Sequence, residues 1–284
     1  MEKETLKNNR WVDVPMTPDV WHLLKEQRIS DTYYARGNGD ATQDLEWVEA
    51  THRNWVHDII DLSEFNYCYV TNGTTDAIHQ WLLTEDREYQ YISGEYEYPQ
   101  MIKKGTETTL RGYNENKVLY LSNPFAGDGN FKNVDVNCPV ILDCTYISST
   151  NIQKIHVPKN TEQVFFSFSK GFGMIGNRLG LVYTKKPHKT LHTLKGFENW
   201  NYASVKTMEL IMSNYKVNDM FIEYRDKQLE LCGEYSLIPS DCFFLAVSGD
   251  SYYKKRRRMK DNPAARLCLT PLTRWKYLNI MASH

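Results

Sequence analysis

The stretch SFSKGFGMIGNRLG, residues 167–180, sets two hydroxyls and an arginine around one lysine: Ser167, Ser169 and Arg178 flank Lys170. A lysine amine can attack a carbonyl carbon, and hydroxyls with a guanidinium fork can hold a phosphate. The neighbourhood favours an anion. No acidic residue stands between Glu162 and Glu198, whereas Lys170, Arg178, Lys185, Lys186, Lys189 and Lys195 all do. An aldehyde that carries a phosphate meets both groups at once, so the combination suits pyridoxal 5′-phosphate. That cofactor also needs a carboxylate to keep its pyridine nitrogen protonated.

The same residues contain a literal GxGxxG at Gly171, Gly173 and Gly176, the outline of a dinucleotide site. Such a site needs a strand before the glycines and a helix opening at them to receive the pyrophosphate. QVFFSF (163–168) supplies the strand, but only Asn177 and Arg178 separate Gly176 from LGLVYT (179–184), which reads as another strand. The helix has no room, and the dinucleotide reading is set aside.

The remaining parts for a phosphorylated aldehyde occur elsewhere in the chain. VTNGTTDAIHQWLL (70–83) reads as strand, turn and helix: Gly73 permits the turn, while Ala77, Ile78, Trp81 and Leu82 mark an apolar helix face. Its helix opens at Thr74 or Thr75, where free N–H groups and hydroxyls make an anion site, or where threonine serves only as a cap. VILDCTY (140–146) ends an apolar strand in Asp143. The carboxyl end of a parallel strand faces the ligand crevice, where the carboxylate can pair with a ring nitrogen or simply cap a loop.

These pieces require a scaffold, and the middle of the chain supplies one. NYCYVT (66–71), YQYIS (89–93), KVLYLS (117–122), PVILD (139–143) and QVFFSF are short β-branched and aromatic runs spaced for crossovers, which predicts a parallel α/β sheet. Beyond about 200, SVKTMELIMSNY and DMFIEYRDKQLEL have helical spacing, followed by CFFLAVS and ARLCLT as strands. They suggest a smaller α+β unit. Pro15, Pro18, Gly37 and Gly39 punctuate an N-terminal arm without long periodicity. With 284 residues and 41% hydrophobic content the chain can bury a large core. A net charge of −1 gives no general attraction to nucleic acid or membranes, and no apolar run approaches the roughly 18 residues of a membrane span. The charged N-terminus is unlike a signal peptide, and the six scattered cysteines lack metal or disulfide spacing, so a cytoplasmic protein with reduced thiols is expected. KKRRRMK (254–260) is read as a solvated helix face rather than a nucleic-acid patch, with a role in attracting an anionic substrate as the other possibility.

Five motifs together resemble the class I/II aminotransferases, aspartate-aminotransferase-like enzymes of fold type I that use pyridoxal 5′-phosphate. SFSKGFGMIGNRLGLVYT (167–184) is similar to their lysine motif and TNGTTDAI (71–78) to their phosphate turn. SNP (122–124) matches their Asn-Pro motif, DCTY (143–146) their Asp-x-x-Tyr, and ARLCLT (265–270) their substrate-arginine strand. The order is the family's, from about 66 to 270. The resemblance implies an α/β fold with a mostly parallel seven-stranded central sheet, helices on both faces and an α+β small domain. Residues 46–196 would form the cofactor domain, with 1–45 and 197–284 as arm and small domain. Few residues follow Arg266, so the small domain is expected to be reduced.

By position, the resemblance implies that Lys170 forms the Schiff base and shuttles the proton. Asp143 would pair with the ring nitrogen, and Asn123 and Tyr146 with the phenolate oxygen. Gly73, Thr74, Thr75, Ser167, Ser169 and Arg178 would hold the phosphate. Tyr98 would stack on the ring, with Tyr96 as rival, and Arg266 would grip the substrate α-carboxylate. A homodimer is implied, with Tyr33, Tyr34 or Arg36 reaching a neighbour's site. The leading expectation is an aminotransferase moving an amino group between an amino acid and a 2-oxo acid. A lyase, decarboxylase or Cα-substitution enzyme shares the cofactor motifs, and a non-catalytic binding protein is the third possibility.

Overall fold

Strands buried on both faces read as near-continuous apolar runs, and here they assemble into one sheet. The computed structural model describes residues 2–9, 12, 14, 16–26, 40–174, 176–260 and 262–273; Pro15, Tyr33, Tyr34, Arg36, Gly37 and Gly39 lie outside them. The strands are β1 (Tyr67–Thr71), β2 (Tyr89–Ile92), β3 (Thr106–Thr108), β4 (Val118–Ser122), β5 (Val140–Asp143), β6 (Thr161–Ser167) and β7 (Gly180–Thr184). Among the described residues they form a seven-stranded sheet in the order β1-β7-β6-β5-β4-β2-β3. Pairing is parallel from β3 through β6, and β7 runs antiparallel to both its neighbours.

The helices are α1 (Glu2–Asn8), α2 (Pro18–Glu26), α3 (Asp40–Val56), α4 (Gly73–Thr84), α5 (Tyr98–Ile102), α6 (Lys189–Gly196), α7 (Tyr202–Asn214) and α8 (Asp219–Tyr235). They cover both faces of the sheet, as the pleat dictates. Tyr120, Ile141, Phe165 and Val182 face α4, where Ala77, Ile78, Trp81 and Leu82 form the apolar stripe read from the sequence. The alternate residues Leu121, Leu142, Phe166 and Leu181 join Val48 and Val56 of α3 and Val205, Met208 and Ile211 of α7 on the other side. Among the described residues no helix is long and apolar enough to cross a membrane.

A second, antiparallel sheet has the order β10-β9-β8, with β8 (Ile238–Pro239), β9 (Leu245–Ser248) and β10 (Ala265–Cys268). Leu6 of α1 and Leu231, Cys232 and Tyr235 of α8 pack on Ala246 and Leu267. All six cysteines are free and buried. The basic run departs from its expected helix face. Residues Ser251–Arg256 form a 3₁₀ turn, after which the chain extends and Arg257 bridges Ala265. Pairing with the strand that carries Arg266 overrides helical continuation and turns Arg258 inward.

The sheet gathers functional groups at one rim. Ser122 is in register with Asp143, while Thr71 and Ser167 both pair with Gly180. The carboxyl ends of β1, β4, β5 and β6 therefore open on one crevice, where an α/β sheet receives its ligand.

Candidate active site

One end of the crevice is a cradle for an anion. After β1 the chain turns at Gly73 with φ +77°, a conformation that favours glycine, and α4 begins there. A Cβ at Gly73 would stand 2.9 Å from Arg178 Nη2, so the guanidinium lies directly over this turn. The same atom donates to Thr75 Oγ1 at 3.1 Å. Thr74 Oγ1 is 2.6 Å from Thr145 Oγ1, and the hydroxyls of Ser167 and Ser169 are 2.7 Å apart. Free N–H groups of a twelve-residue helix, a guanidinium and five hydroxyls thus converge, a donor set suited to a phosphate dianion. No helix follows the glycines of the lysine stretch, since Gly176, Asn177 and Arg178 form a turn into β7.

Asp143, 4% exposed, closes the deep side. Tyr120 donates to Asp143 Oδ2 at 2.5 Å, while Thr145 gives its N–H (2.9 Å) and hydroxyl (2.5 Å) to Oδ1. Burial raises the carboxyl above its ordinary range, and the Thr145 and Tyr120 hydrogen bonds act against the rise. Such a group keeps a negative charge most readily beside a cation, which a protonated ring nitrogen would provide.

Lys170 lies between β6 and β7, its Nζ donating to the main-chain carbonyl of Val12. Burial depresses its ammonium to about 8, with Arg266 and Arg178 pushing the same way. A large fraction of the amine is then neutral near pH 8, the form that attacks a carbonyl.

A cavity of about 500 Å³ joins these parts, enough for a cofactor with a small substrate. Thr74, Thr75, Asp143, Ser167, Ser169, Lys170 and Arg178 line it, together with Tyr98, Tyr146 and Arg266. Gly73 backs the cradle through Arg178. Asn123 is buried, and its Nδ2 donates to Lys132 O while its Oδ1 accepts from Lys132 N, both at 3.0 Å. Its neighbours Ser122 and Pro124 form part of the wall.

Both rival tyrosines line the cavity, with ring centroids 6.1 Å apart. The Tyr98 hydroxyl is 2.7 Å from His79 Nε2. The Tyr96 hydroxyl is pushed up to about 12 by burial, with the charge of Asp143 pushing the same way.

Sequence reasoning missed Tyr120, Thr145, Glu95 and Arg258. Tyr120 was legible in strand parity: Ser122 pairs with Asp143, so the residue two before it is a diagonal neighbour on the same face, within reach of a long side chain. Glu95 is buried behind the wall and accepts from Ser122 N (2.9 Å), from Ser122 Oγ and from Tyr96 N (2.9 Å). Ser122 Oγ in turn accepts from Ala126 N at 2.7 Å, and Ala126 O accepts from Arg266 Nη1. Glu95 therefore orders the loop that orients Arg266.

No family model and no curated protein matches the sequence. Solved structures do match. The L-threonine-O-3-phosphate decarboxylase of Porphyromonas gingivalis aligns at a TM-score of 0.62 and 13% identity, over 95% of this chain and 98% of that one. An aminotransferase from Staphylococcus aureus gives 0.60 and 10%, over 91% and 87%. The pyridoxal-phosphate-bound C–S lyase of Staphylococcus hominis gives 0.64 and 11%, over 96% and 90%. The chain has the fold of these fold type I enzymes.

Proposed function

We propose that this chain, on the fold of the class I/II aminotransferases, is a pyridoxal 5′-phosphate enzyme that moves an amino group between an amino acid and a 2-oxo acid. The observation that carries the reading is one cavity holding a lysine with a depressed ammonium, a hydrogen-bonded aspartate and a phosphate cradle. When bound, the cofactor would supply an electron sink conjugated to the substrate Cα. Thr74, Thr75, Ser167, Ser169 and Arg178 would fix its phosphate, and the Lys170 amine would bond its aldehyde carbon. Asp143 would hold the proton on its ring nitrogen, and the Tyr146 hydroxyl would donate to its phenolic oxygen. Tyr98 or its neighbour Tyr96, both of which line the cavity, would pack on the ring. Arg266 would pair with the substrate α-carboxylate, and Lys170, once released, would take the proton from the substrate Cα. We also read the active form as a homodimer.

A second reading keeps these roles and changes the bond broken, to a decarboxylation or an elimination. The likeness to a decarboxylase and a C–S lyase at equal strength favours keeping it. A screen of amino donors with 2-oxo acids separates the two. Appearance of the donor's oxo acid together with the acceptor's amino acid supports transamination. Release of carbon dioxide or ammonia without exchange overturns it in favour of the second reading.

A further inference from the structure

One member of the basic run has a destination in the site. Arg257 bridges Ala265 in an antiparallel pairing, so alternation along the chain sends the next residue of each segment, Arg258 and Arg266, to the same face. Both line the cavity. Arg258 Nη2 donates to the Glu97 carboxylate at 3.1 Å and to the Glu95 carbonyl at 3.4 Å, which fixes one arm of its fork. Its Nε is buried and has no hydrogen-bond partner among the described residues. Burial, and next to it the charge of Arg266, draws this guanidinium below its ordinary range. An anion in the cavity that both guanidiniums line relieves the repulsion between them.

Charge accounting on the wall points the same way. Lys170, Arg178, Arg258 and Arg266 face Asp143 and Glu97 there. The proposed cofactor engages Lys170, Arg178 and Asp143, and the substrate α-carboxylate engages Arg266. Arg258, only half-matched by a Glu97 carboxylate that is 68% exposed, is left for something else.

We propose that Arg258 is a specificity-determining residue that receives a second anionic group, a carboxylate or a phosphate ester, on the substrate side chain. The chain then acts on acidic amino acids in preference to neutral ones of the same length. This rests on the reading that Arg266 holds the α-carboxylate. It does not depend on whether the reaction is a transamination.

The test is calorimetric binding of unreactive acids to the cofactor-loaded protein: glutarate, 3-phosphonopropionate and pentanoate. The native protein is expected to bind at least one diacid about tenfold or more tighter than pentanoate, the scale of a charge-assisted hydrogen bond. Which diacid is preferred distinguishes a carboxylate from a phosphate ester. Arg258→Gln is expected to reduce the preference to about twofold or less while pentanoate binding stays within about twofold, and Arg258→Lys to retain part of the preference. Pentanoate binding as tightly as both diacids, equal losses for all three ligands in Arg258→Gln, or no binding of any of them overturns the proposal. Cofactor uptake, measured separately by absorbance, shows whether the site itself is intact. If uptake succeeds and the diacid preference is absent, Arg258 is misassigned; if uptake fails, the reading of the site as a whole is wrong.

Discussion

Asp143 carries opposing influences that can be separated by substitution. Burial raises its carboxyl, and Thr145 and Tyr120 offset the rise through three hydrogen bonds. Asp143→Asn removes the charge that would face the ring nitrogen and is expected to weaken pyridoxal phosphate binding about ten- to a hundredfold. Tyr120→Phe removes one neutral donor and is expected to cost less than about tenfold. An absorbance titration of each variant checks the order. Glu95 offers a second test, through pH. Burial lifts its carboxyl to about 7 from an ordinary 4.5, so its protonated form is favoured in the folded state. Its stabilising contribution is fully present below about 4.5 and is lost as pH rises through about 7. Asp143, Tyr120 and Tyr96 face Glu95 along with Arg258, and the raised Asp143 adds a slope of the same sign. Thermal melts of Glu95→Gln should therefore show a flatter decline of Tm across that window than the native protein, with Asp143→Asn as control. An unchanged slope would contradict the assignment.

The lysine stretch shows why an element must be read residue by residue. A Cβ at Gly171 would meet Ser148 Oγ at 2.2 Å, and Gly173 has φ +68°, whereas a Cβ at Gly176 would find nothing within 4 Å. Gly171→Ala is expected to destabilise the fold by about 1–3 kcal/mol through overpacking, and Gly176→Ala to change it by less than about 0.5 kcal/mol. Denaturant melts distinguish them, and equal effects would sink the packing account. The apparent dinucleotide pattern thus holds one position fixed by packing, one by backbone angle and one fixed by neither. Most of the elements that carry the site were legible, because strand runs, the Gly73 turn and the α4 stripe are local patterns. What was hidden depends on tertiary pairing. Arg258 looks like the basic residues around it until Arg257 bridges Ala265, and the bonds of Asn123 to the Lys132 main chain form only in the fold. The short β3, with the sequence TET, has no apolar run to announce it.

At the scale of the molecule, the sheet brings together groups from residues 73 to 178, and the antiparallel pair β9–β10 supplies Arg266 from the other side. Even the N-terminal segment takes part, since Val12 receives the Lys170 amine and lines the cavity. A decarboxylase, an aminotransferase and a C–S lyase share this architecture, so the fold alone does not choose the reaction and individual side chains must. Binding to the folded state alone should stabilise the whole chain by about 2.7 kcal/mol at a hundredfold excess over Kd. Pyridoxal phosphate is accordingly expected to raise Tm, with a smaller rise for inorganic phosphate, which would fill only the Thr74, Ser167 and Arg178 cradle. The proposed chemistry would begin with a bond between the cofactor and Lys170. Its most direct test is to load the protein with pyridoxal phosphate, reduce it with borohydride and map the modified peptide by mass. The cofactor is expected on the peptide that contains Lys170, with none trapped in Lys170→Ala; a protein that takes up no cofactor, or carries it on another lysine, would rule out Lys170 as the attachment point.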